Sequence, residues 1–334
     1  MMLIIGAGLA AVRAIESMRA TGYDGPITLV GDEAHLPYER PPLSKEALRI
    51  ELADSDLSIQ PSTFYADHRV ALVLGRAAVR LDEHQRSVEL SDGTSLSYSR
   101  LLIATGSAPA TLEVPGSGLE NVLTLRTLGD AARLRERLRN AERVVVIGAG
   151  LIGLEVAAVA RELGRDVVVV ERAARPLARL LGGHEVADAV RALHESRGVD
   201  LRTNATVAKY EGSTAVERVL LADGRALESD LVVVAVGIRP RTEWLAGSGV
   251  AVGDGVLVGS HGETSVAGVF AAGDVARVVL RPGESARLES YGHAHSQGVA
   301  VGRTLAGVPS AYTSLPAASS EQFGTRLQLS LIHI

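Results

Sequence analysis

Two glycine turns of one design constrain this chain more than anything else in it. Leu3-Ile4-Ile5-Gly6-Ala7-Gly8-Leu9-Ala10-Ala11 stands at the start, and Val144-Val145-Val146-Ile147-Gly148-Ala149-Gly150-Leu151-Ile152-Gly153 repeats the pattern later. Each is a short apolar strand that runs into glycines and then into an alanine-rich helical stretch. This is the dinucleotide turn of doubly wound α/β sheets. Its first glycine permits the tight turn, and its second lets a pyrophosphate approach the backbone. The third small residue, Ala11 or Gly153, lets helix and strand pack closely. The free N–H groups and positive dipole end of the helix then face the phosphates. One copy is a weak signal. Two copies, each in strand–turn–helix context, imply two dinucleotides held together and electron transfer between them.

At 334 residues the chain has room for two or three domains, and 46% hydrophobic residues supply sizeable cores. Alanine, valine, leucine and glycine dominate, as suits parallel sheets covered by helices. A net charge of −5 makes no case for nucleic acid. Lys45 and Lys209 are the only lysines, and cysteine is absent. Without cysteine there is no disulfide, no thiolate metal site and no redox dithiol. No apolar run approaches the roughly 20 residues needed to span a bilayer. The apolar N-terminus lacks a basic leader and its glycines belong to the first turn, so no signal peptide is read. The expectation is a cytoplasmic protein.

Along the chain, the first unit reads as a strand at Leu3–Ile5, a helix at Leu9–Ala20 and a strand at Ile27–Val30 that ends at Gly31-Asp32-Glu33. A proline-rich segment, Leu36-Pro37-Tyr38-Glu39-Arg40-Pro41-Pro42-Leu43-Ser44-Lys45, predicts a rigid, non-helical lead into a helix near Lys45–Leu48. Ser87–Leu90 and Ser95–Tyr98 around Asp92-Gly93 read as a hairpin, and Arg100–Ala104 as a buried strand. The second unit starts after Pro115-Gly116. It predicts helices at Asp130–Asn140 and Leu154–Leu163, and strands at Val144–Ile147, Val167–Val170 and Leu231–Val236. Val266–Ala271 and a helix over Ser290–Leu305 then resume the first unit. The order implies one doubly wound unit inserted into another.

Asp32 and Glu171 end the second strand of their units, where the fold wants a carboxylate to accept hydrogen bonds from adenosine ribose hydroxyls. The competing reading is a strand-terminal acid on a solvated loop, and Glu33 competes with Asp32. A 2′-phosphate beside Glu171 would meet repulsion on the order of 4 kcal/mol at ~4 Å and an effective dielectric near 20. NADH is therefore favoured over NADPH, tempered by Arg172. Lys45 after the prolines, with Glu155 as partner, is the candidate catalytic pair; a surface lysine and an exposed helix glutamate are the bland alternatives. His293 and His295 point to different helix faces and read as surface histidines, not metal ligands. Arg133, Arg135, Arg137 and Arg139 read as a solvated face.

Together these motifs resemble the FAD-dependent ferredoxin reductases of oxygenase and cytochrome P450 systems, within the pyridine nucleotide-disulfide oxidoreductase superfamily. The resemblance runs from Leu3 to about Gln328. Its specific pieces are the proline segment, Leu102-Ile103-Ala104-Thr105-Gly106, Leu125-Arg126-Thr127-Leu128, Gly148 to Glu155, and Ala271-Ala272-Gly273-Asp274-Val275-Ala276. It implies two Rossmann-like domains of α/β class, an FAD domain over 1–108 and 241–308 with an NAD domain over 109–240 inserted. The start of a C-terminal α+β interface domain would follow over 309–328. It also implies that Gly6, Gly8, Leu9, Ala10 and Asp32 bind the ADP half of FAD. Arg40, Pro41, Lys45, Ala78, Ala104, Thr105, Gly106, Arg126 and Gly273 would line the same cofactor. Asp274 would accept a hydrogen bond from its ribityl chain, and Tyr291 would lie by its ring. Gly148, Gly150, Leu151, Ile152, Gly153, Glu171 and Gly237 would bind NADH, with Lys45 and Glu155 near the flavin–nicotinamide contact. A [2Fe–2S] ferredoxin is the implied partner of a monomer or weak dimer. No nucleic acid, membrane or metal enters.

The sequence departs from the family near its end. Pro316-Ala317-Ala318-Ser319-Ser320-Glu321-Gln322-Phe323 stands where an aromatic-rich segment is usual, with only Gln322 and Phe323 fitting, and Leu329-Ser330-Leu331-Ile332-His333-Ile334 reads as a non-native tail on a shortened interface domain. Two rival functions follow: an NADH dehydrogenase or oxidase with diffusible acceptors, and an NADH-sensing interaction protein resembling apoptosis-inducing factor.

Overall fold

Buried apolar runs of four or five residues, each followed by a glycine or a loop, become the central strands of two parallel sheets. The computed structural model describes residues 1–181, 185–281, 284–313 and 317–330; Pro316 and residues 331–334 of the C-terminal reading lie outside these. The first sheet runs in the order Val269–Ala271, Arg100–Ile103, Met2–Ile5, Ile27–Val30, Val70–Val73. All its pairings are parallel. The second runs Asp200–Arg202, Asp166–Val170, Arg143–Ile147, Leu231–Val234, Val122–Leu123, again all parallel. In each sheet the strand that enters a glycine turn is the central one.

The side-chain alternation of a strand explains the layers. Met2 and Ile4 pack with the helices Leu9–Ala20 and Tyr291–Leu305 on one face. Leu3 and Ile5 pack on the other with Leu81, Val88 and Leu90 of a three-stranded antiparallel sheet. The second unit copies this plan. Val144 and Val146 face helices, while Val145 and Ile147 face Tyr210, Val219 and Leu221 of its own three-stranded sheet. Gly298 and Gly302 let the two helices of the first unit touch: a Cβ at either would lie 2.4 or 2.5 Å from a backbone oxygen of Ala10 or Ala14.

The chain crosses between the units at Ser107–Pro109, which pairs antiparallel with Ile238–Pro240 on the return. A final hairpin, Ala317–Gln322 with Thr325–Ser330, lies against the helix Leu151–Glu162 and the helix Tyr291–Leu305. Phe323 and Leu327 of that hairpin, Tyr38 and Leu43 of the proline segment, and Leu48 of the short helix Glu46–Arg49 that follows it, join the core of the second unit.

Several boundaries differ from those read in the sequence. The second turn's helix begins at Leu151, directly after the Gly150 cap, not at Leu154. The helix Leu128–Asn140 starts two residues before Asp130, because Thr127 and Asp130 close a capping box: Asp130 N–H donates to Thr127 Oγ1 and Thr127 N–H to the Asp130 carboxylate. Pro41–Ser44 is a 3₁₀ turn, not a non-helical segment, with its prolines at the first positions where no N–H is needed. Leu231–Val234 and Val269–Ala271 are shorter than predicted. Among the described residues no helix is long and apolar enough to cross a membrane.

Candidate active site

The two glycine turns have matching geometry. Gly6 has φ of +106°, and a Cβ there would lie 2.1 Å from the Ala104 carbonyl oxygen; Gly148 has φ of +103°, and its Cβ would lie 2.4 Å from that of Ala235. Only glycine fits either place. Gly8 and Gly150 differ from them, since a Cβ at either would meet nothing within 4 Å. Each caps its helix without a side-chain hydrogen bond, and neither first turn carries an acid. An open backbone before an uncapped helix N-terminus fits a pyrophosphate at both sites. Gly153 is the third small residue of the second turn: its Cβ would fall 2.1 Å from Gly148 O.

Around the first turn, Gly6, Asp32, Ala78 and Thr105 line one cavity of about 210 Å³ with Arg241 and Trp244. Arg241 pairs with the exposed Asp32 carboxylate. Its backbone is tied to the Ala104-Thr105-Gly106 strand end: Thr105 Oγ1 donates to Arg241 O at 2.8 Å, and Arg241 N–H donates to Gly106 O at 3.0 Å. Nothing in the sequence pointed to Arg241, which comes from the return crossing far from Asp32 along the chain.

The proline segment builds a polar network beside this cavity. Tyr38 Oη donates to Glu33 Oε2 at 2.6 Å, and Arg40 pairs with Glu33 Oε1 at 3.0 Å and donates to the Arg126 carbonyl. Glu33, the competitor of Asp32, is therefore held by the proline segment. Burial holds the Tyr38 phenol well above its usual range. Arg126 pairs with Asp274 at 3.0 Å, and Ser107 Oγ donates to the same carboxylate oxygen at 3.2 Å. Desolvation pulls the Arg126 guanidinium below its usual range, opposed by the charge of Asp274. Arg126 Nε is buried without a hydrogen-bond partner, so the cluster retains a donor for a cofactor to accept from. The Gly273 N–H donates to Gln297 Oε1 at 2.7 Å, which fixes the turn carrying Asp274.

Tyr291 opens the helix Tyr291–Leu305, is exposed, and donates to Glu39 Oε1 at 2.9 Å. Two residues on, His293 is not a surface histidine. It is buried, with Nδ1 2.7 Å from Tyr312 Oη, and desolvation lowers its pKa to about 4. The helix packs that face inward, while His295 is only half-buried. Arg135 also departs from the solvated face: it donates to the backbone oxygens of Ala47 and Ile50, while Arg133, Arg137 and Arg139 are exposed.

In the second unit, Glu171 grips its glycine turn. Oε2 accepts from Ala149 N–H and Oε1 from Ala173 N–H, each at 2.7 Å. The carboxylate is thereby placed beside the open Gly150. Gly237, at φ +121°, lies at the end of the neighbouring strand, with the Arg179 side chain close by.

Lys45 and Glu155 meet between the units. Lys45 Nζ lies 3.0 Å from Glu155 Oε1 and donates to Pro41 O at 3.0 Å. Glu155 is 3% exposed. Its Oε2 accepts from Ser44 Oγ, and its Oε1 also accepts from Ser320 Oγ at 2.6 Å. Ser44 stands inside the proline segment quoted above, but no spacing marked it; Ser320 was missed altogether, because 165 residues separate it from Glu155.

The family model described as pyridine nucleotide-disulphide oxidoreductase matches residues 1–298. The chain belongs to that family. It is 39% identical to rhodocoxin reductase of Rhodococcus erythropolis over 98% of this chain and 77% of that protein. It is also 39% identical to the ferredoxin–NAD(+) reductase component of the biphenyl dioxygenase system of Paraburkholderia xenovorans, over 98% and 79%. A solved ferredoxin reductase from Rhodopseudomonas palustris superposes with a TM-score of 0.94 at 37% identity, covering 98% of this chain and 81% of that one. The reductase of a covalent putidaredoxin reductase–putidaredoxin complex does so with 0.92 at 35% identity, over 98% and 80%. The chain is thus an α/β oxidoreductase with FAD and NADH as its cofactors. Despite the family's description, this chain has no cysteine with which to form a redox disulfide.

Proposed function

We propose that the chain is an NADH-dependent flavoprotein reductase that delivers electrons through FAD to a [2Fe–2S] ferredoxin of an oxygenase or cytochrome P450 system. The observation that carries this reading is a pair of open dinucleotide cradles, at Gly8 and Gly150, in a chain with no thiol to relay electrons. When bound, FAD accepts a hydride and releases electrons singly; the protein supplies position and charge.

The residues divide the work. Gly6, Gly8, Leu9 and Ala10 seat the phosphates of FAD, and Asp32 takes its adenosine ribose in the cavity that Ala78, Thr105 and Arg241 close. Arg40 and Pro41 shape the proline segment, and Ala104 and Gly106 bracket Thr105. The Arg126–Asp274 pair, placed by Gly273, meets the middle of the cofactor, with Tyr291 at the helix start beyond it. Gly148, Gly150, Leu151, Ile152 and Gly153 seat the NADH phosphates, Glu171 reads its ribose, and Gly237 leaves room for its chain. Lys45 and Glu155 join the two sites: one comes from the proline segment, the other from the first turns of the NADH-binding helix. Their ion pair, buried on the glutamate side, orients the proline segment against that helix where flavin and nicotinamide meet.

The doubled sheets and the paired crossing at Ser107–Pro109 and Ile238–Pro240 support an FAD domain over 1–108 and 241–308 and an NAD domain over 109–240. A cytoplasmic location goes with the use of NADH and a ferredoxin. The test is acceptor preference. Steady-state NADH oxidation by the FAD-loaded protein is expected to be fast with a [2Fe–2S] ferredoxin and slow with quinones or oxygen. Equal rates with quinones or oxygen and none with ferredoxin would sink the reading in favour of a diffusible-acceptor dehydrogenase or oxidase.

A further inference from the structure

We propose that Ser320 is a positioning residue that holds the Glu155 carboxylate against Lys45 for hydride transfer, with Gln322 and His194 locking the serine in turn. This rests on the reading of Lys45 and Glu155 at the flavin–nicotinamide contact.

The strand Ala317–Gln322 turns alternate residues in opposite directions. Ser320 and Gln322 are buried, at 4% and 1% exposure, while Ser319 and Glu321 between and beside them are exposed. A hairpin that only covered a helix would place apolar residues on that inner face, since buried polar groups cost free energy unless every partner is present. Here the partners are present, and they form a line. His194 Nε2 and Gln322 Oε1 are 2.9 Å apart, Gln322 Nε2 donates to Ser320 Oγ at 3.0 Å, and Ser320 Oγ donates to Glu155 Oε1 at 2.6 Å.

One direction of donation satisfies all three contacts. A carboxylate only accepts, so the serine O–H points at Glu155. The serine oxygen then accepts from the amide N–H of Gln322, whose carbonyl oxygen accepts from His194 Nε2–H. The histidine end is fully buried, its Nδ1 has no partner, and its ring packs edge-on to Phe323 at 5.1 Å. Burial lowers the proton affinity of His194, and the contact with the Gln322 carbonyl oxygen places the ring's proton on Nε2. Aligned donors of this kind polarise one another and stiffen the line. The Glu155 carboxylate is thus fixed from two sides: by Ser44 and Lys45 from the proline segment, and by Ser320 from the C-terminal hairpin.

The FAD-loaded protein, mixed anaerobically with NADH in a rapid-mixing instrument, tests this. In Ser320→Ala the limiting rate of flavin bleaching should fall by about tenfold to a hundredfold, the scale set by misplacing a group at a reaction centre. The NADH concentration at half-saturation should stay within about twofold, since the nucleotide seats are untouched. Ser320→Thr keeps the hydroxyl and should restore the rate; a packing role would make the larger threonine the worse substitution. Gln322→Met fills the same space without the amide and should slow bleaching with Ser320 still in place. It decides the matter should Ser320→Ala fail to retain FAD. A wild-type limiting rate in both Ser320→Ala and Gln322→Met, or a threonine variant as slow as the alanine one, would overturn the proposal. Failure of NADH to bleach the unsubstituted protein would instead overturn the proposed function.

Discussion

At the scale of a single residue, Glu171 ties the second glycine turn together beside the proposed ribose site. Its oxygens accept from Ala149 and Ala173 N–H groups, yet a carboxylate oxygen has a lone pair to spare for a ribose hydroxyl. Glu171→Gln keeps one acceptor and sets an amide N–H₂ against a backbone donor. Binding of both nucleotides should weaken, while the NADH over NADPH preference measured by kcat/KM should narrow by about tenfold, or ~1.4 kcal/mol. An unchanged ratio would show that the acid serves the turn alone. His293 gives a second residue-scale expectation. Its folded pKa of about 4 lies below the ordinary 6.5, so the folded state binds fewer protons in between. The stability this represents, up to about 3 kcal/mol, is complete above pH 6.5 and is lost as pH falls toward 4. Melting temperatures between those limits should fall less steeply for His293→Gln than for the unsubstituted protein; parallel curves would contradict the assignment. The sequence showed only a histidine on a helix. Its ring packs against and hydrogen-bonds Tyr312, which follows the helix by a path no periodicity encodes.

At the scale of the turn, the open and closed glycines separate folding from binding. Gly6 and Gly148 each stand against a backbone oxygen, so alanine at either should unfold the unit. Gly8 and Gly150 face open space, so alanine there should leave the melting of the cofactor-free protein nearly unchanged. Gly8→Ala should lose FAD on gel filtration yet retain its fold. Gly150→Ala should stay yellow and require more NADH for half-maximal bleaching. The reverse pattern would exchange the two cradles. Central strands and the helices after the turns were legible because buried runs and small residues leave a dense local signal, as at Ile27–Val30 and Leu9–Ala20. Edge strands such as Val122–Leu123 and Asp200–Arg202 were not, because they are short and only partly buried. The bonds that complete the site were also hidden. Arg241 reaches Asp32, and Ser320 reaches Glu155, across sequence separations of 209 and 165 residues.

The whole molecule is one plan used twice, with each central strand facing helices on one side and a three-stranded sheet on the other. The doubled turn announced that plan, and the inserted order followed from where the first unit's strands resume. What holds the two copies face to face is less regular: the proline segment, the Lys45–Glu155 pair and the final hairpin. These parts bring together residues from the beginning, middle and end of the chain. The residues alone offered Glu155 as a partner for Lys45, and the resemblance set that pair near the flavin–nicotinamide contact, while nothing anticipated the hairpin's part. The central claim is that electrons leave NADH through the flavin and exit singly, with no thiol between. Its most direct measurement is an anaerobic single turnover of the FAD-loaded protein with one equivalent of NADH and excess oxidised [2Fe–2S] ferredoxin. The flavin absorbance should bleach and then recover as one electron reaches each of two ferredoxins, with one NAD⁺ and one proton released. Bleaching that persists while the ferredoxin stays oxidised would contradict the account.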